Sequence, residues 1–165
     1  MARQIWRRRL RSFMRKAPWL VEMSLRLWRL QQPKVTLGAV GILFDAEGRV
    51  LLVEHTLHPQ TPWGLPGGWV NRGEEPAAAV RRELQEELSI NVIVGQVILI
   101  GVPFPNHLDT AFLCHTDDSV GTLSFELLDY GWFHLDELPR LLSFHYAALQ
   151  QALTLTQDAH HDLDQ

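Results

Sequence analysis

The sequence predicts an α/β fold with a mixed sheet, on three observations. Short β-branched runs alternate with single amphipathic helical stretches, the order expected of layered α/β domains. Gly- and Pro-rich segments punctuate those runs at turn positions. The chain is 165 residues long with 46% hydrophobic and 21% charged residues, enough for one core plus decoration and too apolar for a disordered or low-complexity chain.

The elements follow in order. Val35 to Phe44 is β-branched and ends at Asp45-Ala46-Glu47-Gly48, a turn signal, and Arg49 to His55 reads as the returning strand of a hairpin. Thr61 to Val70 is too rich in Gly, Pro and Trp for a regular helix. Pro76 to Leu88 has helical period, with Pro at the first turn, where its missing N–H is harmless. Ile90 to Val102, Thr110 to His115 and Ser124 to Phe133 read as strands. Leu141 to Leu153 closes the body as a helix, and the polar tail 156–165 is expected to fray.

Charge divides the chain near Pro33. Residues 1–34 carry ten Lys and Arg against Glu22 alone, a charge of +9, while residues 35–165 carry −13, together the net −4. Within the basic arm, Trp6, Leu10, Phe13 and Met14 mark a helix over 3–16 that Pro18 ends or kinks. Residues 19–30 continue as a second helical piece. Glu22, Arg26 and Arg29 interrupt its apolar run and no small-residue cleavage site follows, which argues against a secretory signal. The favoured role is packing of the arm's apolar face on the domain or a second subunit. Contact with anionic lipid or with nucleic acid are the alternatives. Cys114 is the sole cysteine, so an internal disulfide and a cysteine zinc site are excluded, and a reducing, cytoplasmic setting is the expectation.

Chemistry concentrates in GGWVNRGEEPAAAVRRELQEELSI, from Gly67 to Ile90. Ala77, Val80, Leu84 and Leu88 share one side of the helix and should face the core. Glu83, Glu86 and Glu87, at i, i+3 and i+4, converge on a neighbouring face. Such carboxylates repel one another by a few tenths of a kcal/mol per exposed pair. An all-oxygen anionic patch suits hard cations such as Mg²⁺ or Mn²⁺. Glu74 ahead of the helix and Arg82 on it are oppositely charged and within reach if the loop folds back. Gly67 and Gly68 carry no side chain to block a metal or phosphate.

From Gly68 the residues resemble the Nudix box, G-x5-E-x7-R-E-U-x-E-E-x-G-U with U aliphatic. Gly68, Glu74, Arg82, Glu83, Leu84, Glu86, Glu87 and Ile90 fall in register, and Ser89 stands where the pattern has its last glycine. That glycine is expected to be a left-handed helix C-cap, so Ser89 should lose about 1 kcal/mol of local stability without removing a ligand. The WGLPG lead-in (Trp63–Gly67) and Trp132-Phe133 with Asp136–Pro139 also look like Nudix domains, and the similarity covers roughly 35–153.

The resemblance implies a three-layer α/β/α sandwich with a mixed sheet, here as a 35–155 domain bearing the helical extension 1–34. It implies metal-dependent cleavage of a pyrophosphate bond in a nucleoside diphosphate linked to another group, with Mg²⁺ or Mn²⁺ as cofactor. ADP-ribose, nucleotide sugars and nucleoside triphosphates are the candidate substrates, and homodimer formation is an arrangement to expect. Carried over by position, Glu83, Glu86 and Glu87 would be metal ligands, Glu86 foremost as the central member, with the Gly68 carbonyl a further one. Arg82 and Glu74 would form the ion pair holding loop to helix. A general base would come from the box itself or from a later loop, where Glu126 is the first candidate and Asp117 and Asp118 are weaker ones. Trp69 and Phe104 are candidates for stacking on a base, and Tyr130, His107 and His115 are weaker ones. Selectivity is expected in loops 56–62 and 103–109. The other reading is a Nudix-like sensor that binds a nucleotide without cleaving it, which the complete glutamate triad disfavours.

Overall fold

The computed structural model describes residues 18–56 and 60–163. The helix expected over 3–16 lies outside the described residues, as do Leu57, His58 and Pro59 of the loop 56–62. The chain divides into two compact units between Lys34 and Val35.

In the first unit, α1 (Pro18–Leu30) begins at Pro18, with none of its residues buried. Gln31 and Gln32 end it by donating their backbone N–H to Trp28 O and Arg29 O.

The second unit contains β1 (Thr36–Leu43), β2 (Val50–His55), β3 (Trp63–Gly64), β4 (Gly67–Trp69), α2 (Pro76–Leu88), β5 (Ile93–Gly101), β6 (His107–His115), β7 (Leu127–Phe133) and α3 (Ser143–Leu163). They form a four-stranded sheet, β4-β1-β6-β5, and a three-stranded sheet, β3-β2-β7. The β1–β6 pair is parallel and the other pairs antiparallel, which makes the first sheet mixed.

Alternation along β1 and β2 explains the layers. Ala39, Leu43, Leu51 and Val53 point into one core, where Ala79, Val80, Leu84 and Leu88 of α2 cover them. Val40, Ile42, Val50 and Leu52 point into the opposite core, under Phe144, Ala148, Leu149 and Ala152 of α3. Strands apolar on both faces need a helix on each, and the result is the expected α/β/α sandwich. Each fully buried Leu or Val contributes about 1.5–3 kcal/mol of burial free energy. Cys114 is one of these buried groups, and burial pushes its thiol up to about 12.

Four expectations are corrected. The strands β1 and β2 are not paired as a hairpin: Phe44, just past β1, bridges to Val50 beside a turn in which Asp45 Oδ1 accepts the Glu47 and Arg49 N–H groups. Beyond it they enter different sheets, because β4 and β6 occupy both edges of β1. The sixth strand starts at His107, so His107 and Asp109 belong to it and not to a loop. The seventh starts at Leu127, leaving Ser124, Phe125 and Glu126 in the preceding turn. The last helix starts at Ser143 and runs to Leu163, past the expected end at Leu153. Among the described residues, no helix is long and apolar enough to cross a membrane.

Candidate active site

The helix α2 buries Val80, Leu84 and Leu88, and that anchors its glutamates along the flank beside β4. Arg82 gathers the loop ahead of the helix onto this flank. Its Nε donates to Glu74 Oε1 at 2.9 Å and its Nη2 to Glu74 Oε2 at 3.0 Å, a two-pronged pair. Nη2 also donates to the Trp69 carbonyl at 3.0 Å, so one guanidinium fastens both ends of the loop. Nη1 donates to Glu83 Oε1 at 2.8 Å and to Glu86 Oε2 at 3.2 Å. The Arg82 guanidinium, helped by the Asn71 N–H, holds the Glu74 carboxyl down at about 2. Arg82 itself is raised, foremost by its bond to Glu74.

Glu87 is the buried member of the triad, 6% exposed, whereas the Glu86 side chain is 60% exposed. Glu87 Oε2 accepts the Gly67 N–H at 3.0 Å. Burial nevertheless pushes its carboxyl up to about 8, with the charges of Glu83, Glu126 and Glu86 adding to the rise. The two glycines are close-approach residues. Gly67 has φ 141°, and a Cβ there would meet the Ala39 carbonyl. A Cβ on Gly68 would stand 2.6 Å from the Glu83 carboxyl carbon.

These groups face a cleft of about 700 Å³. Its acidic lining is Glu83, Glu86, Glu87, Asp109 and Glu126, with Gly67 and Gly68 also in the lining. Aromatic lining side chains touch: Phe104 stacks on His107 with ring centroids 4.3 Å apart, and Trp69 meets His107 edge-on at 4.8 Å. His55, Trp63, Gly64 and His145 line it as well.

The NUDIX domain profile matches residues 34–153. The chain belongs to the NUDIX domain family. Among curated Nudix relatives, the NAD-capped RNA hydrolase NudC of Erwinia tasmaniensis is 38% identical over 96 residues, 56% of this chain and 36% of that protein. NudC of Escherichia coli is 36% identical over 94 residues, 56% of this chain and 37% of that protein. The chain thus spans about a third of the length of the curated relatives it matches. Among solved structures, an ADP-ribose pyrophosphatase from Streptococcus suis has a TM-score of 0.62 at 27% identity, over 77% of this chain and 92% of that one. A MutT NUDIX hydrolase from Burkholderia pseudomallei has a TM-score of 0.60 at 30% identity, over 73% of this chain and 98% of that one.

Of the Nudix-box residues, Glu83, Glu86 and Glu87 line the cleft with Gly68, Arg82 joins Glu74 to Glu83 and Glu86, and Ser89 takes the left-handed conformation expected of the replaced glycine, φ 56° and ψ 36°. Glu126 lines the same cleft, from a turn and not from a strand. Trp69, Phe104 and His107 line it too, whereas Tyr130, His115, Asp117 and Asp118 do not. His115 and Asp117 pair with each other at 3.3 Å, and Asp118 accepts from Asn91 at 2.8 Å.

Sequence reasoning missed Asp109, His55, His145 and Ser124. His107 Nε2 and Asp109 Oδ1 are 2.7 Å apart, and His107 Nδ1 is 2.8 Å from Thr36 Oγ1. Their alternation with Leu108 along one strand was the available signal, since residues two apart share a face. His145 Nδ1 accepts the Leu65 N–H at 3.2 Å across a long sequence separation that carries no local signal.

The donor chemistry fits the divalent ion that the Nudix family implies. Glu83, Glu86, Glu87, Asp109 and Glu126 line the cleft, and no Lys or Arg is among its lining residues. Oxygen-only donors with surplus negative charge are what Mg²⁺ and Mn²⁺ select. With Glu83 and Glu86 turned to Arg82, no group of three His, Cys, Asp or Glu forms a ready metal cage among the described residues.

Proposed function

We propose that this chain hydrolyses the pyrophosphate bridge of a nucleoside diphosphate linked to another group, with Mg²⁺ or Mn²⁺ as cofactor. One observation carries this reading: five acidic side chains line one cleft, and the Arg82 guanidinium that bonds two of them lies outside the lining. A diphosphate is itself an anion, and it enters such a field only with cations to neutralise both parties. The ADP-ribose pyrophosphatase among the structural relatives and the NudC enzymes among the sequence relatives support a P–O–P substrate.

Water attacks one phosphorus, the bridging P–O bond breaks, and the products are two phosphate monoesters with release of the water's protons. Glu83, Glu86, Glu87 and the Gly68 carbonyl would hold the metal. When bound, a divalent ion there neutralises phosphate oxygens and acidifies a water molecule. Arg82 and Glu74 keep the glycine loop closed on the helix, and the missing side chains at Gly67 and Gly68 let the Ala39 carbonyl and the Glu83 carboxyl close against the bend. Glu126, whose charge acts on Glu87, takes the proton from the attacking water. Trp69 and the open face of Phe104, 57% and 47% exposed, receive the base.

A panel of ADP-ribose, nucleotide sugars, dinucleotides and nucleoside triphosphates, each with Mg²⁺ or Mn²⁺, tests the reading by product analysis. Metal-dependent release of a nucleoside monophosphate from a member of the panel is expected. Intact substrates throughout, with nucleotide still bound, would favour the sensor reading instead.

A further inference from the structure

The loop that delivers Glu126 to the cleft is fastened to the C-terminal end of α2. The last carbonyls of a helix have no partner within it. Here the loop supplies them: the Gly121 N–H donates to Leu88 O at 2.9 Å and the Ser124 N–H to Glu87 O at 3.0 Å. Asn91 anchors the near end, accepting from Thr116 Oγ1 at 2.6 Å and donating through its amide group to Asp118 at 3.0 Å. On the far side, Thr56 donates to the Glu126 carbonyl through both its N–H, at 3.0 Å, and its Oγ1, at 2.8 Å.

Ser89 sits at the centre of this junction. Its hydroxyl donates to the Thr122 carbonyl at 2.9 Å. A Cβ on Gly121 would stand 2.9 Å from the Ser89 Cβ, so the loop crosses Ser89 at a residue with no side chain. Serine at φ 56° holds a backbone conformation that glycine adopts without steric conflict. A glycine here would relax the backbone and delete the hydroxyl bond. Beyond that bond, Ser124 and Glu126 both line the cleft, and Ser124 Oγ is the buried side-chain polar atom without a hydrogen-bond partner among the described residues.

We propose that Ser89, standing where the Nudix pattern has glycine, is a positioning residue: its hydroxyl latches the 121–126 loop onto α2 and so sets Glu126 opposite Glu87. This rests on the reading of Glu126 as the base. A merely structural cap makes the opposite forecast, because Ser89→Gly removes a strained conformation and should leave turnover alone.

The test compares the full chain with S89G, E126Q and S89G/E126Q. Melting temperature, amide hydrogen exchange at Gly121 and Ser124, and kcat and KM on the best substrate are measured. With one hydrogen bond removed, S89G is expected to melt no lower than the parent, exchange those amides about tenfold faster and lose about five- to tenfold in kcat with KM little changed. In the E126Q background, S89G should produce no further loss of kcat. Parental exchange rates in S89G would overturn the latch. A loss of kcat as large in E126Q as in the parent would show that Ser89 does not act through Glu126. Parental turnover in E126Q, with fast exchange in S89G, would instead remove Glu126 as the base.

Discussion

Glu87 Oε2 accepts the backbone N–H of Gly67 at 3.0 Å, joining the buried carboxyl of α2 to the glycine bend. Burial holds this carboxyl at about 8, far above the ordinary 4.5. In the unfolded chain it loses its proton near the ordinary value, so between 4.5 and 8 the folded state binds the extra proton. The stability that proton carries is complete below 4.5 and disappears as pH rises towards 8. Chelator-treated protein is therefore expected to lose stability over that interval more steeply than Glu87→Gln does. Denaturant titrations across the interval check this, and parallel pH curves for the two proteins would contradict it.

Glu74 runs in the other direction. Its carboxyl is held at about 2 by Arg82, so its contribution is present above 4.5 and is lost as pH falls towards 2. Replacing Arg82 by Lys keeps the charge but loses the fork that binds Glu74 at two points. A lower stability is expected as the two-point pair is lost, together with a fall in kcat. Urea denaturation and steady-state kinetics of R82K measure both.

How much of this was legible beforehand depends on distance along the chain. Glu83, Glu86 and Glu87 lie within one helical turn, so their convergence follows from helix geometry alone. Glu74 and Arg82 are eight residues apart and opposite in charge, so their pairing is readable from the sequence. The alternating cores of β1 and β2 were also written in their apolar runs. Asp109 and His145 were not legible, because a parallel β1–β6 pair and a helix eighty residues from Leu65 bring them to the cleft. Glu126 was placed on the wrong element, since β-like composition extends upstream of Leu127 while the backbone of Ser124 is already committed to capping α2. The hairpin expectation failed for a similar reason: local turn chemistry at Asp45 was right, but both edges of β1 are claimed by distant strands.

Glu126→Gln is expected to lower kcat by about a hundredfold or more, the usual worth of a general base, and to remove the corresponding limb of the pH–rate profile. A profile that overlays the parent would take Glu126 out of the chemistry.

Phe104→Ala and Trp69→Ala remove aromatic surface from the lining of the cleft. Each should raise KM by about threefold to tenfold with little change in kcat, as expected for stacking that binds ground and transition states alike. Equal losses in kcat would place these rings nearer the reacting phosphate than the base.

A chain shortened to begin at Val35 addresses the basic arm. If the arm packs on a second subunit, sedimentation should show a change in oligomeric state while the metal site is retained. Unchanged oligomeric state, solubility and activity would remove the packing role.

Manganese binding followed by electron paramagnetic resonance, without nucleotide present, bears on the central claim most directly. Titrating Mn²⁺ into the protein should suppress the free-ion signal, and the E83Q/E86Q/E87Q variant, if folded by circular dichroism, should leave that signal at its buffer intensity. The same free Mn²⁺ signal with both proteins as with buffer would mean that these glutamates hold no catalytic metal.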